Sequence, residues 1–408
     1  MCTTYLATLI AESVSEVGVV KDSLLVRLNP NIPYKTRGNA CLALHIETDG
    51  PEQVKEVKSK TIDLIEENAV FEDDKTNPGV AFLEDNEPPQ DLSNFTLEAV
   101  RSVKEIDEAK ELANSLGIET HGWKMGRGVI GAIAAVGASG AFDDWTYELI
   151  AYRGREEWGE KRGVDYDSFF EADTATYPST WDTVDYSTGS VVAVPNTNGP
   201  VIYGLRGTLK GVWKANSYVS VDTPVKHVRV FRTNQGTDYH LINAEIGEVE
   251  DYRSYRLTGR VGEPPETIEG GHVFFTLRDG ENSIKCAAFE PTKAFRKLIR
   301  DLREGDRITV CGGVKNGTLN VEKMNVHELN DTELVNPVCD GCGKRMKSAG
   351  KDQGYRCRDC GTTAQEKVEE RVERFLEEGW YEVPPSARRH IAKPLVRGNF
   401  EKPHFWLR

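Results

Sequence analysis

Apolar residues at Tyr5, Leu6, Leu9, Ile10, Val14 and Val17 fall on one helical stripe, which predicts a helix over Thr3–Val17. Thr3 and Thr4 stand where an N-cap belongs. Two apolar runs, Leu24–Leu28 and Ala40–Ile46, read as strands. The stretch between them, Asn29–Asn39, carries two prolines that deny it a helix. A second helix is expected over Pro51–Asn68, with Val54, Val57, Ile62 and Ile65 on its apolar side. A polar loop, Asp73–Gly79, then leads into a short buried strand at Val80–Leu83. Strand, helix and strand in alternation point to an α/β layer. The acid-rich run Glu84–Asn94, with Pro88 and Pro89, reads as a linker or exposed loop.

A second unit is expected to start near Leu97. Glu105–Leu116 has an amphipathic helical pattern that stops at Gly117. His121–Gly128 is a glycine-rich turn opening onto small residues, Ile130–Val136. Such a turn either seats an anion or lets backbones pack closely, and the pattern leaves both open. Trp145–Arg153 reads as a strand, and the aromatic-rich run Val164–Trp181 fits no single period. Val191–Gly207 holds two strand-like runs about a tight turn. Lys226–Thr233 is a strand that ends in the dense polar cluster Phe231–Asp238, and loops of that chemistry commonly carry function.

From Ser254 the texture changes. Tyr255–Val261, Gly271–Leu277, Ser283–Ala288, Arg307–Val314 and Thr318–Met324 are strand-like, with a helix, Pro291–Leu302, between the third and fourth. That is the plan of an OB-fold barrel. Such barrels bind single-stranded or structured nucleic acid, and the same plan also serves oligosaccharides and proteins. Gln365–Glu378 reads as a charged helix. Beyond it Arg388, Arg389, His390, Lys393 and Arg397 alternate with Phe400, Phe405 and Trp406, as a nucleic-acid contact or as a terminal segment docking on the body.

Length and charge change this picture in two ways. At 408 residues the chain exceeds one ordinary core, so about three or four domains are expected. The net charge of −14 argues against nucleic-acid binding by the molecule as a whole. The acid is spread along the chain, which suits an organism with high internal salt and suggests a haloarchaeal source. No apolar run reaches the ~18 residues of a membrane span, and no signal-peptide pattern opens the chain. A cytoplasmic location is expected.

Eight cysteines divide into two groups. Cys2, Cys41, Cys286 and Cys311 lie in apolar contexts and read as small core residues. Cys339, Cys342, Cys357 and Cys360 make two CxxC knuckles with fourteen residues between them. Four thiolates so spaced suit a closed, structural, tetrahedral Zn²⁺ site. Between the knuckles Lys344, Arg345, Lys347, Lys351 and Arg356 concentrate positive charge, a backbone-contact surface for RNA or DNA.

In the Asn29–Asn39 loop, Lys35, Thr36 and Arg37 sit beside Gly38 and Asn39. Two cations, a hydroxyl and backbone amides freed by glycine are what a phosphate needs, although the same stretch could be a polar surface loop.

Met1–Leu6, Asn29–Asn39, Asp74–Gly79, Gly126–Ala132 and Phe231–Asp238 follow in this order, ahead of the barrel and the zinc knuckles. Together they closely resemble the archaeal isoleucine-tRNA 2-agmatinylcytidine synthetase family over nearly the whole chain. The resemblance implies a multidomain α/β and α+β protein. It would have a kinase-like ATP-binding domain over residues 1–95 and a ferredoxin-like, agmatine-binding domain over 96–250. An OB-fold tRNA-binding domain over 251–330 and a zinc ribbon with its C-terminal tail over 331–408 would follow. It implies a ligase that attaches agmatine to C2 of the wobble cytidine of CAU-anticodon tRNA-Ile, with ATP consumed to AMP and Mg²⁺ required. Thr3 is the residue expected to become phosphorylated, and Lys35 and Arg37 the catalytic cations. Thr36, Gly38, Asn39, Asp73, Asp74, Lys75 and Asn77 are expected around ATP. Gly126, Arg127, Gly128, Arg232, Asn234, Gln235, Thr237 and Asp238 are expected around the substrates.

The family pattern places a strand and an Asp-Asp-Thr-Asp motif, the expected Mg²⁺ ligands, just ahead of Met1. A truncated start and impaired catalysis are therefore expected. The competing expectation is a non-catalytic OB-fold and zinc-ribbon RNA binder with a vestigial ATP domain.

Overall fold

In chain order the first part of the molecule comprises α1 (Thr3–Val14), β1 (Val19–Arg27), β2 (Ala40–Glu47), α2 (Pro51–Asn68), β3 (Gly79–Phe82), α3 (Gln90–Arg101), α4 (Ile106–Ser115), β4 (Glu119–Gly122) and α5 (Gly128–Val136). The chain continues through α6 (Ala138–Ala141), β5 (Thr146–Tyr152), α7 (Tyr166–Thr176), β6 (Thr180–Trp181), β7 (Val184–Asp185), β8 (Ser190–Val191), β9 (Val201–Gly207), α8 (Leu209–Asn216) and β10 (His227–Thr233). The computed structural model describes residues 2–34 and 38–405. The expected site residues Lys35, Thr36 and Arg37, together with Met1 and Trp406, lie outside the described residues.

Six strands form one sheet in the order β2-β1-β10-β5-β9-β6. β1 runs parallel to β10, with Leu24 opposite Arg232 and Leu25 opposite Thr233. Alternation along the strands builds the layers. Leu24 and Val26 meet Leu92, Phe95, Val129 and Ile133 of α3 and α5 on one face. Leu25, Ile150, Tyr152 and Phe231 meet Tyr5 and Ala7 of α1 on the other. Leu149, Ala151 and Leu205 pack against Phe169 and Val212 of α7 and α8. The boundary expected at 95/96 falls inside α3, and β1 and β10 join the chain on either side of it in a single sheet.

The second part begins with β11 (Leu241–Asn243), β12 (Ser254–Thr267), β13 (Val273–Asp279), β14 (Asn282–Ala288), α9 (Phe295–Arg300), β15 (Arg307–Lys315) and β16 (Thr318–Glu328). Strands β12, β13, β14, β16 and β15 follow one another, and β15 returns to β12 to close the barrel. The helix falls between the third and fourth barrel strands, where the pattern predicted it. β17 (Thr332–Val335) then leads to β18 (Lys347–Ser348), β19 (Tyr355–Arg356), β20 (Thr363–Ala364), β21 (Val368–Arg371) and β22 (Gly379–Glu382). β18–β20 form the small sheet of the cysteine module, β17 pairs with β21 as its stalk, and β22 extends the barrel beside β16. Among the described residues no helix is long and apolar enough to cross a membrane.

Three local expectations are corrected. Gln365–Glu378 is not a helix: Val368–Arg371 is an extended strand paired with Thr332–Val335. The cysteine module needs both its ends side by side, and that pairing overrides helical propensity. Glu84–Asn94 is not loop throughout, because α3 begins at Gln90 with Pro89 as its N-cap and Leu92 fully buried. The prolines there punctuate a helix start. The unassigned aromatic run contains α7, whose cap Asp165 accepts from the Asp167 amide.

One loop ties the sheet, the barrel and the tail. Past the end of the β1–β10 ladder, the Asn234 side chain accepts from the Arg27 amide at 2.7 Å and donates to the Arg27 carbonyl at 3.0 Å. The Gly236 amide donates to the His390 carbonyl, and those of Thr237 and Asp238 donate to Ile391. Asp238 pairs with Lys323 of β16 at 2.7 Å, a lysine 1% exposed. Nearby, His240 meets Glu322 at 2.8 Å. Of the two expectations for the tail, docking on the body is the one found: Arg388 pairs with Asp182 and Glu382, Arg389 with Glu322, and Lys393 and Arg397 with Asp144. The tail docks on the body.

Close packing and this seam can each be tested. A Cβ on Gly128 would lie 2.4 Å from the Asn77 carbonyl oxygen and 2.4 Å from the Gly79 nitrogen, both rigid backbone. Gly128→Ala is expected to cost about 1–3 kcal/mol in denaturant unfolding, and unchanged stability would refute this close approach. Burial alone raises the Glu322 pKa, but His240, Arg389 and Lys323 outweigh it and hold it at about 2, below the ordinary 4.5. A depressed carboxylate stabilises above its unfolded pKa, so this contribution is present above about pH 4.5 and is lost as pH falls toward 2. Glu322→Gln should therefore flatten stability against pH in that window, and parallel profiles would exclude the effect.

Candidate active site

A cavity of about 1020 Å³ opens between β2, α2, β3 and α5. Thr3, in the first turn of α1, and Gly128, in the first turn of α5, both line it, and neither helix has an acid in its first turn. Helix N-termini present free amides and a partial positive charge, so each end favours an anion. Lys75 and Arg127 add full charges to the lining, and neither has a carboxylate partner among the described residues.

The Asp73–Gly79 loop is held in place from outside the cavity. Lys124 Nζ donates to the carbonyls of Phe71 at 3.1 Å and Asp73 at 2.8 Å. The Asp73 carboxylate accepts from the Lys75 amide at 3.0 Å, and Asn77 Oδ1 accepts from the Met125 amide at 3.4 Å. Asn39 lines the cavity, but its side-chain amide donates back to the Asn29 carbonyl at 2.8 Å and so closes the loop it ends. Gly38 precedes it at φ 81°, a conformation that favours glycine.

The structure thus gathers Thr3, Asn39, Lys75, Asn77, Arg127 and Gly128 around one cavity. Asp73, Asp74 and Gly126 stand outside its lining, and the two aspartates join no convergent acidic group among the described residues. Gly126 adopts φ 74° and shapes the turn into α5. The Phe231–Asp238 residues lie at the seam. Arg232 pairs with Asp22 at 2.7 Å and covers the Trp145 ring at 4.5 Å. Gln235 donates to Glu148 at 2.5 Å, and the Thr237 hydroxyl donates to the Asn234 carbonyl at 2.6 Å.

Glu148 was missed by sequence reasoning. Only 4% exposed, it sits between Gln235, Arg206 at 3.3 Å and Arg27 at 3.6 Å. Burial lowers the Arg27 pKa, and Glu148 opposes that shift. Arg206, burial and Arg27 together hold His390 well below the imidazole range. The available signal was a lone acid in the apolar strand Thr146–Tyr152.

The Sγ atoms of Cys339, Cys342, Cys357 and Cys360 all lie within 4.8 Å of one another. Thiolates on tetrahedral zinc stand about 3.8 Å apart, so the set fits that ion. Of the basic residues between the knuckles, Lys344 pairs with Asp359 and Arg345 with Glu370. Lys347, Lys351 and Arg356 are exposed with no carboxylate partner among the described residues.

Residues 1–125 match the TiaS TCKD domain, 126–240 the TiaS FLD domain, 247–331 the OB-fold nucleic acid binding domain and 336–376 the TiaS C-terminal zinc ribbon domain. The isoleucine-tRNA 2-agmatinylcytidine synthetase TiaS of Methanosarcina mazei is 52% identical over 97% of this chain and 94% of its own. The chain belongs to the isoleucine-tRNA 2-agmatinylcytidine synthetase family. The crystal structure of a TiaS complex with its isoleucine tRNA and ATP superposes with a TM-score of 0.90 at 48% identity, covering 99% of this chain and 95% of that one. A TiaS complex with the same tRNA, AMPCPP and agmatine does so at 0.87 and 45%, over 99% and 95%.

Zinc has a direct test. A chelator should remove one equivalent of zinc per chain and disorder β18–β20 while leaving the barrel folded, as read by metal analysis and amide exchange. A chain purified without zinc, or a ribbon indifferent to chelation, would refute the site.

Proposed function

We propose that this chain joins agmatine to C2 of the wobble cytidine of CAU-anticodon tRNA-Ile, consuming ATP to AMP, so that the modified base pairs with A and AUA is read as isoleucine. One observation carries the reading: the chain aligns almost end to end with TiaS relatives solved with isoleucine tRNA and ATP and with AMPCPP and agmatine. The cavity suits it chemically. The C2 oxygen of cytosine is a poor leaving group, and ATP supplies the phosphoryl group that makes it a good one. The amide ends of α1 and α5, with Lys75 and Arg127, hold the phosphates. The Thr3 hydroxyl stands at the same helix end, placed to accept a phosphoryl group. Lys35, Thr36 and Arg37 lie in sequence between Tyr34 and Asn39, which both line the cavity, and this supports their proposed phosphate role. Magnesium needs few protein ligands when phosphates complete its shell, and Asp73 and Asp74 are the nearest acids in sequence.

Agmatine attacks as a neutral amine, so its pocket must favour deprotonation through a carboxylate or through desolvation. Arg232, Asn234, Gln235, Thr237 and Asp238 serve the substrates by fixing the sheet against the barrel and tail. The barrel and the ribbon cations Lys347, Lys351 and Arg356 grip the tRNA.

A kinase-like fold for the first domain, a ferredoxin-like fold for the second, a haloarchaeal source and a cytoplasmic setting are part of the same proposal. Folding and activity should rise with KCl into the molar range for a salt-adapted surface, and indifference to salt would overturn that part.

Incubation with agmatine, ATP and a CAU-anticodon tRNA-Ile transcript should add the mass of agmatine less one water to the wobble nucleotide. Lys75→Ala should lower kcat by about 10²-fold while leaving tRNA affinity intact. Tight tRNA binding with no mass gain, in this chain and in one extended upstream, would favour the non-catalytic RNA binder.

A further inference from the structure

Tyr34 is an outlier. The residue is 68% exposed, yet its ring is braced: the Arg127 guanidinium lies 4.5 Å from the ring centroid. Single exposed aromatics need no explanation. This one lines the cavity that also holds Thr3 and Lys75, and its brace is a cation with no carboxylate partner among the described residues. Tyr34 follows Pro33, which restricts the backbone leading into it. An exposed aromatic ring braced by a cation at the lining of this cavity is a surface on which a nucleobase stacks.

We propose that Tyr34, braced by Arg127, is the platform on which the target cytosine stacks once it has left the anticodon. The proposal deepens the function above and rests on it. An enzyme that works on one base must take it out of the stack, and an aromatic partner offsets that loss. The exposure of Tyr34 decides which base is meant. A small nucleotide buries most of its own surface in its pocket, so a ring this exposed is a poor partner for adenine. A ring left two-thirds open on the rim is reached by a base arriving on a large RNA. Tyr34 is thus a positioning residue: its free ring face holds the pyrimidine while Arg127 fixes the other face and keeps the rim positive.

The test uses the full chain, a CAU-anticodon tRNA carrying pyrrolocytidine at the wobble position, and Tyr34→Ala beside Tyr34→Phe. Wild type and Tyr34→Phe should quench the pyrrolocytidine on binding. Tyr34→Ala should lose the quench and raise the KM for unmodified tRNA by about 10-fold, with the Kd for ATP unchanged. The unchanged ATP affinity also shows that the variant is folded. Quenching that survives in Tyr34→Ala, or a loss of ATP affinity in place of tRNA affinity, would overturn the proposal. Agmatine transfer by a wild type that never quenches the probe would sink the platform and leave the function standing. No agmatine transfer by any form would bring down the function itself, and the platform with it.

Discussion

The side chain of Asn234 completes the parallel ladder of β1 and β10 by bonding both polar groups of the Arg27 backbone. A carboxamide carries one acceptor and donors in fixed geometry, so it can stand in for a peptide unit where the strand has already turned away. This bond lets the strand end and the loop begin without orphaning a buried amide. The next residues, Gly236 to Asp238, then spend their own amides on the tail, and Asp238 takes Lys323 from the barrel. The relative placement of sheet, barrel and tail rests on these few bonds. The cavity depends on that placement indirectly, because α1 and α5 are packed on opposite faces of the same sheet.

Charge is allocated in the same economical way. In a chain of net −14, most cations of the tail and seam are taken up by internal carboxylates. Lys75 and Arg127 in the cavity, and Lys347, Lys351 and Arg356 on the ribbon, have no such partner among the described residues. Unpaired positive charge on an acidic protein marks where anions are meant to come.

Much of this was legible beforehand. The barrel could be read because five alternating runs and one helix have an order that few folds share. The cysteine module could be read because metal geometry dictates spacing. The family resemblance named Thr3, Asn39, Lys75, Asn77, Arg127 and Gly128, and all six line one cavity. Less legible were segments whose partners are far away in sequence. Gln365–Glu378 has a helical pattern, yet Val368–Arg371 became a strand because Thr332–Val335 lies beside it. The basic and aromatic tail suits RNA by composition, but its cations are paired with Asp144, Asp182, Glu322 and Glu382.

By itself the sequence determined most of the elements of the first sheet, the barrel plan, the zinc ligands and the family, since each is written in local period, spacing or motif. Only the tertiary structure decided that β1 and β10 lie side by side, that Glu148 is buried between two arginines, and that Tyr34 stands at the rim of the cavity beside Arg127. The physical reason is that periodicity reports which face of an element is buried, whereas a cavity or an ion pair depends on which distant element covers that face.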